Sequence, residues 1–210
     1  MFSKDGAPYL VAILRGITPE EAPAVVEALI AEGLTWIEVP LNSPRVHETL
    51  KLLQASYGKT ARIGAGTVTR VAELEALSEL GLSYLVTPNS DPAVIRAAVD
   101  KGIAVVSGCM TPSEAFAAAY AGAKGLKLFP CEVIGPAGAR AMRAILPPEI
   151  PLFAVGGIEP DSLQTYVDAG CIGFGIGSAL YKPGRPVEDI AKRAAAFAHA
   201  AKALNLPSAG

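Results

Sequence analysis

Cysteine is scarce in this chain: Cys109, Cys131 and Cys171 are the only three among 210 residues, and no two form a C-x-x-C pair. That argues against a disulfide scaffold or a structural zinc site and leaves buried thiols as the reading. Histidine is scarcer still, and the two present, His47 and His199, fall on expected helices as solvated surface. No grouping of His, Asp and Glu has the spacing of metal ligands, so no metal is expected. Charge is also thin, at 18% of residues with a formal net charge of −2 and neither sign clustered. The chain therefore lacks the basic footprint of a nucleic-acid binder and the polybasic patch of a lipid-surface protein, which points to small-molecule partners. Long apolar runs are missing too. The first, Tyr9 to Leu14, is stopped by Arg15, too soon for a signal-peptide core, and nothing approaches the ~20 apolar residues that cross a bilayer. No membrane contact and a reducing, cytoplasmic location are expected. The dinucleotide fingerprint is absent as well: Gly64-Ala65-Gly66 lacks its third glycine, and Gly173, Gly175 and Gly177 are wrongly spaced. No cofactor is expected.

What the chain does have is apolar bulk in a regular alternation. Hydrophobic residues make up 51%, enough at this length for a large core, and the composition is unlike that of a disordered chain. Short apolar runs predict strands near 9–14, 35–41, 61–65, 83–87, 103–107, 125–129, 151–155 and 172–176. Between and after them, helical periodicity predicts helices near 18–32, 44–56, 70–80, 91–101, 111–121, 136–146, 159–169 and 186–204. Start signals such as Thr18-Pro19, Ser43-Pro44, Asp91-Pro92, Thr111-Pro112 and Glu159-Pro160 place a small polar or acidic residue before a helix-compatible proline. Gly33, Gly81, Gly102, Gly122 and Gly170 follow helix ends, where a left-handed residue is wanted. Eight βα units whose strands are apolar on both faces predict an α/β fold with a parallel sheet closed as a single (β/α)8 TIM barrel. An open doubly wound sheet is the structural rival. One domain over 1–210 is expected, with 1–8 and 205–210 as terminal extensions.

In such a barrel the chemistry sits at the C-terminal strand ends. Those ends supply Arg15, Glu38, Asn42, Thr67, Thr87-Pro88-Asn89, Lys127 with Phe129, Gly156-Gly157 and Gly177-Ser178. Strand alternation puts Lys127 on one face with Gly125 and Phe129, and Glu38 on one face with Trp36 and Pro40, both facing the barrel interior. An unpaired buried charge is expensive, so the two are expected near one another or with shifted proton affinities. Desolvation favours the neutral amine, the form that attacks a carbonyl to make a Schiff base. The alternative is a buried ion pair that only locks the barrel. Gly156-Gly157 and Gly177-Ser178 follow strands seven and eight, the usual phosphate position, where glycine lets backbone N–H groups approach an anion. Tight turns are the alternative there. Arg15 can hold a carboxylate or phosphate, or make a surface ion pair.

With these residues placed, the chain resembles the 2-keto-3-deoxy-6-phosphogluconate and -galactonate aldolase family. The likeness runs through "AILRGITPEEA", "IEVPLNSP", "IGAGTV", "LVTPN", "GLKLFP", "FAVGGI" and "GIGSALY", roughly residues 9 to 182. It implies a metal-independent class I aldolase, a carbon–carbon lyase that cleaves a 2-keto-3-deoxy-6-phospho sugar acid to pyruvate and D-glyceraldehyde 3-phosphate. Lys127 would form the imine and Glu38 would act as acid and base through a water. Phe129, Thr67 and Pro88 would shape the pyruvate end, Arg15 would grip carboxylate or hydroxyls, and Gly156, Gly157, Gly177 and Ser178 would hold the phosphate. A homotrimer is also implied. Two departures from the gluconate-type pattern, Asn42 for an arginine and Val155 for a threonine before Gly-Gly, resemble the galactonate branch and favour the galacto epimer, with the gluco epimer as a second substrate. The rival readings are a sugar-phosphate isomerase or epimerase with Glu38 as base, active without a covalent adduct, and a barrel that only binds a phosphorylated metabolite.

Overall fold

The computed structural model describes residues 9–204, so the expected extensions 1–8 and 205–210 lie outside the described residues. Eight parallel strands form a closed barrel in chain order: β1 (Tyr9–Ile13), β2 (Trp36–Pro40), β3 (Arg62–Gly66), β4 (Tyr84–Val86), β5 (Ala104–Cys109), β6 (Gly125–Leu128), β7 (Leu152–Val155) and β8 (Gly173–Ile176). The helices outside it are α1 (Ala22–Ala31), α2 (Val46–Tyr57), α3 (Leu74–Ser78), α4 (Pro92–Asp100), α5 (Pro112–Tyr120), α6 (Cys131–Ile145), α7 (Leu163–Asp168) and α8 (Val187–Lys202). The doubly wound alternative is overturned by the β1–β8 pairing, which closes the sheet through Tyr9↔Gly173 to Ala12↔Ile176.

Strand alternation sorts the apolar residues into two cores. Outward residues such as Ile37, Ile63, Leu126, Leu128 and Phe174 pack with the helices in the larger one. Inward residues Tyr9, Val11, Ile13, Tyr84, Val86, Val106, Phe153 and Val155 fill the barrel, with Trp36 against them. Tyr9–Trp36, Trp36–Tyr84 and Tyr9–Phe153 ring centroids lie 5.6, 5.0 and 6.0 Å apart, an aromatic floor beneath the strand ends. Each such pair adds about 0.5–1.5 kcal/mol beyond the area it buries.

Helix boundaries departed from expectation in ways that have local causes. Asp91 caps α4 by accepting from the Ala93 N–H at 2.8 Å, and Thr111 with Glu114 forms a capping box on α5. Thr18 and Glu21 instead bond each other across a turn, so α1 starts at Ala22. Ser43 is no cap either: its hydroxyl accepts from the Gly16 N–H at 2.9 Å and ties the loops after β1 and β2 together, while Arg45 (φ 44°) precedes α2. The helix expected from 136 begins at Cys131, and its first turn is separated from the rest by Gly135, whose φ is 67°. α3 and α7 are short because 3-10 turns, Val71–Glu73 and Pro160–Ser162, take up their first residues. All five glycines expected after helix ends have positive φ.

Candidate active site

Lys127 and Glu38 are buried, at 5% and 2% exposure, at positions where a strand residue faces the barrel axis. Their register partners show how the space is made. Lys127 lies between Gly108 of β5 and Phe153 of β7, and Glu38 between Ile13 of β1 and Gly64 of β3. One glycine further along β3, a Cβ at Gly66 would lie 1.9 Å from Glu38 Oε1, so the carboxyl rests on bare backbone there. Lys127 Nζ stands 4.8 Å from the centre of the Phe129 ring.

No ion pair within 4.0 Å joins Lys127 to Glu38 among the described residues. Burial pushes the Lys127 ammonium below its ordinary pKa; the Glu38 charge pulls it back up and the Arg15 charge lowers it further. Burial likewise pushes the Glu38 carboxyl up, against the opposing charges of Lys127 and Arg15. Both groups are thus driven toward their neutral forms, an amine able to attack and a carboxyl able to hold a proton. The lock reading would need the two charges in contact, which the separation does not provide.

Above the pair opens a cavity of about 410 Å³. Arg15, Lys127, Phe129, Val155, Gly156, Gly157, Gly177 and Ser178 all line it, so eight of the sequence-derived candidates meet in one place. Glu38 lies just below. Asn42 and Thr67 are joined to it through Arg15, which donates to Asn42 Oδ1 at 2.7 Å and to Thr67 Oγ1 at 3.4 Å. Thr67 has φ 60°, a left-handed conformation that costs a β-branched residue about 1–3 kcal/mol. Such strain persists only where surroundings enforce it, here at the rim beside the guanidinium. Pro88 is not brought to the cavity; its carbonyl packs against Gly108, where a Cβ would be 2.4 Å away. Thr87 is buried and turned aside, donating to the Asn89 carbonyl at 2.6 Å and accepting from the Gly108 N–H at 3.2 Å, so it braces β4 against β5. His47 and His199 are exposed.

Gly156 and Gly157 have φ of 102° and 66°. Both angles lie in the left-handed region that favours glycine, and the absence of side chains leaves bare backbone at the cavity rim, where an anion can come close. A helix dipole behind them is weak, because a 3-10 turn and the six-residue α7 stand where the helix near 159–169 was expected. Lys182 and Pro183 complete the mouth and were missed by sequence reasoning, although a lysine directly after Tyr181 was a visible signal. Glu132, also missed, is set in the first turn of α6 and would meet a Gly157 Cβ at 2.8 Å, which narrows the approach to that amide. A larger depression of about 620 Å³ lies at the other end of the barrel, lined by Tyr9, Trp36, Glu32 and His199, remote from the lysine.

A family model described as KDPG and KHG aldolase matches residues 6–192. The chain is 48% identical over 191 residues to 2-dehydro-3-deoxy-6-phosphogalactonate aldolase of Escherichia coli (strain K12), covering 91% of this chain and 93% of the relative. It is 30% identical to 2-dehydro-3-deoxy-phosphogluconate aldolase of Zymomonas mobilis, over 87% and 89% of the two chains. A solved structure of native KDPGal superposes with a TM-score of 0.90 at 48% identity, covering 92% of this chain and 94% of that one.

Proposed function

The chain belongs to the KDPG and KHG aldolase family, whose members are carbon–carbon lyases, and from that premise we propose that it cleaves 2-dehydro-3-deoxy-6-phosphogalactonate to pyruvate and D-glyceraldehyde 3-phosphate. The observation that carries this reading is a lysine and a carboxyl buried together in the barrel, beneath a cavity rimmed by glycine amides.

In the proposed reaction the neutral Lys127 amine adds to the C2 carbonyl. The carbinolamine loses water to give a protonated imine, which is an electron sink. Glu38, acting through a water, takes the proton from the C4 hydroxyl as the C3–C4 bond breaks. The bonding pair moves into the imine to give an enamine, and the aldehyde carrying the phosphate departs. Protonation at C3 and hydrolysis then release pyruvate and restore the amine. Arg15, steadied by Asn42 and Thr67, holds the carboxylate, Phe129 packs on the pyruvate portion, and the Gly156–Gly157 and Gly177–Ser178 backbone holds the phosphate.

Support for the galacto epimer comes from 48% identity to relatives of that name, against 30% to those named for the gluconate, and from Val155, whose side chain offers no hydroxyl to the C4 oxygen. The gluco epimer is the second substrate. Family resemblance extends the proposal to a homotrimer and a cytoplasmic location. No described helix is long and apolar enough to cross a membrane.

The test is incubation with pyruvate and borohydride in excess EDTA, followed by peptide mass mapping. A reduced adduct on Lys127 is expected. Folded protein that gives none overturns the Schiff-base assignment, and the isomerase reading takes its place.

A further inference from the structure

The chain makes one tight turn at the cavity rim after β8, before it runs on to α8. Gly177, Ser178 and Ala179 of this turn line the cavity. The Gly177 carbonyl accepts from the Leu180 and Tyr181 N–H groups, each at 2.9 Å. The next three carbonyls, of Ser178, Ala179 and Leu180, receive no backbone donor among the described residues. Two guanidinium groups supply what the backbone does not. Arg185 Nη1 lies 2.7 Å from the Leu180 oxygen, 3.2 Å from that of Ser178 and 3.3 Å from that of Ala179. Arg193, from α8, donates to the Ala179 oxygen at 3.0 Å. Neither arginine has an ion-pair partner within 4.0 Å among the described residues, so both forks are directed at this one turn.

A trans peptide unit is planar, and the carbonyl of one residue points opposite to the N–H of the next. Holding the Gly177 oxygen therefore sets the direction of the Ser178 N–H, and holding the Ser178 oxygen sets that of the Ala179 N–H. Those two amides donate to no backbone carbonyl among the described residues. Unused N–H groups on residues that line a cavity are suited to the oxygens of an anion. The arginines stand on the carbonyl side of the same peptide planes. Neither lines the cavity, so each acts through the turn and not by touching what the cavity holds.

We propose that Arg185, with Arg193 behind it, is a positioning residue for the phosphate end of the substrate, fixing the Ser178 and Ala179 amides by capping the carbonyls of their turn. The proposal rests on the placement of the phosphate at Gly177–Ser178 given above. Arginine suits the task because its planar group carries several donors in a fixed fork, where lysine has one compact ammonium.

The test compares two aldehydes in the addition of pyruvate, D-glyceraldehyde 3-phosphate and D-glyceraldehyde, as the ratio of their kcat/KM values. Arg185→Gln is expected to lower this ratio about tenfold, the lower end for a hydrogen bond to a charged group. Borohydride trapping of pyruvate on Lys127 is expected to keep its rate, since that step involves no phosphate. Arg185→Lys keeps the charge without the fork and is expected to lose the ratio too. A ratio fully kept in Arg185→Lys would make charge the agent and overturn the proposal. So would a fall shared equally by both aldehydes and by the trapping rate, which marks a role in folding alone. If the Arg185 variants do not fold, Arg193→Gln decides: this exposed residue gives one contact, and its loss should lower the ratio roughly threefold. A ratio unmoved there overturns the proposal. An unmodified protein that prefers the phosphorylated aldehyde, with the preference kept in every variant, overturns the positioning role alone. An unmodified protein with no such preference overturns the phosphate placement and this proposal with it.

Discussion

An amine inside a barrel is useful only when it can shed its proton, and the charges around Lys127 determine when that happens. Imine formation needs the neutral amine, so its rate rises as pH climbs through the depressed Lys127 pKa. The Glu38 charge raises that pKa and the Arg15 charge lowers it. Glu38→Gln is therefore expected to move the acid limb of imine formation to lower pH, and Arg15→Gln to higher pH, as read by borohydride trapping rates. Shifts in the same direction would contradict this charge arrangement. Glu38→Gln should also slow aldol cleavage by about 10²–10⁴, the usual worth of a positioned acid or base, while substrate binding is largely kept. At Val155, threonine has nearly the same shape and adds a hydroxyl at the foot of the cavity. One hydrogen bond gained by the gluco epimer is worth about 0.5–1.5 kcal/mol, so Val155→Thr should raise the gluco-to-galacto ratio of kcat/KM by roughly 2–12-fold. Competition assays on the two sugar acids measure it, and an unchanged ratio removes Val155 from the selection of epimer.

At the scale of elements, α5 provides a stability test separate from chemistry. Thr111 and Glu114 satisfy the helix's first amides reciprocally, and no residue of α5 lines the cavity. Thr111→Ala should cost about 1 kcal/mol, lowering Tm by roughly 2–4 °C with kcat unchanged. This cap was legible in the sequence because its signal is local, as were the eight strands and the glycines that end helices. Lys127 and Glu38 were legible for a related reason: each is the one charge in an apolar alternation, and period two gives its face. The start of α6 was not, because Gly135-Pro136 reads as a helix start and conceals the turn before it. The shortness of α3 and α7 was hidden because a 3-10 turn uses the same residue types as the helix it precedes. The Arg15–Asn42–Thr67 contacts join loops after three different strands, and Thr67 adopts a backbone its type avoids. No local pattern encodes such a meeting. Pro88 does not line the cavity, since a motif gives proximity to a strand end and not the direction a residue takes there.

The whole molecule consists of two apolar cores separated by one sheet, and the inner core contains the only acid–base pair buried in it among the described residues. Burying two ionisable groups is a burden that folding alone does not require. Replacing both by apolar residues of similar volume, Glu38→Leu with Lys127→Met, is expected to leave Tm equal or higher by several degrees, since exchanging buried ionic groups for packed apolar ones is neutral or stabilising by about 1–4 kcal/mol. The same protein should show no turnover and no pyruvate adduct. A marked fall in Tm would show instead that the pair serves the fold. The rim of the cavity divides its glycines differently. Gly156 and Gly157 are bound to their backbone angles, but a Cβ at Gly177 would meet nothing within 4 Å, and Gly177 lines the same cavity. Descendants of this chain can therefore shorten the molecules they accept by exchanging a single hydrogen at one rim position, without the barrel having to be reinvented around it.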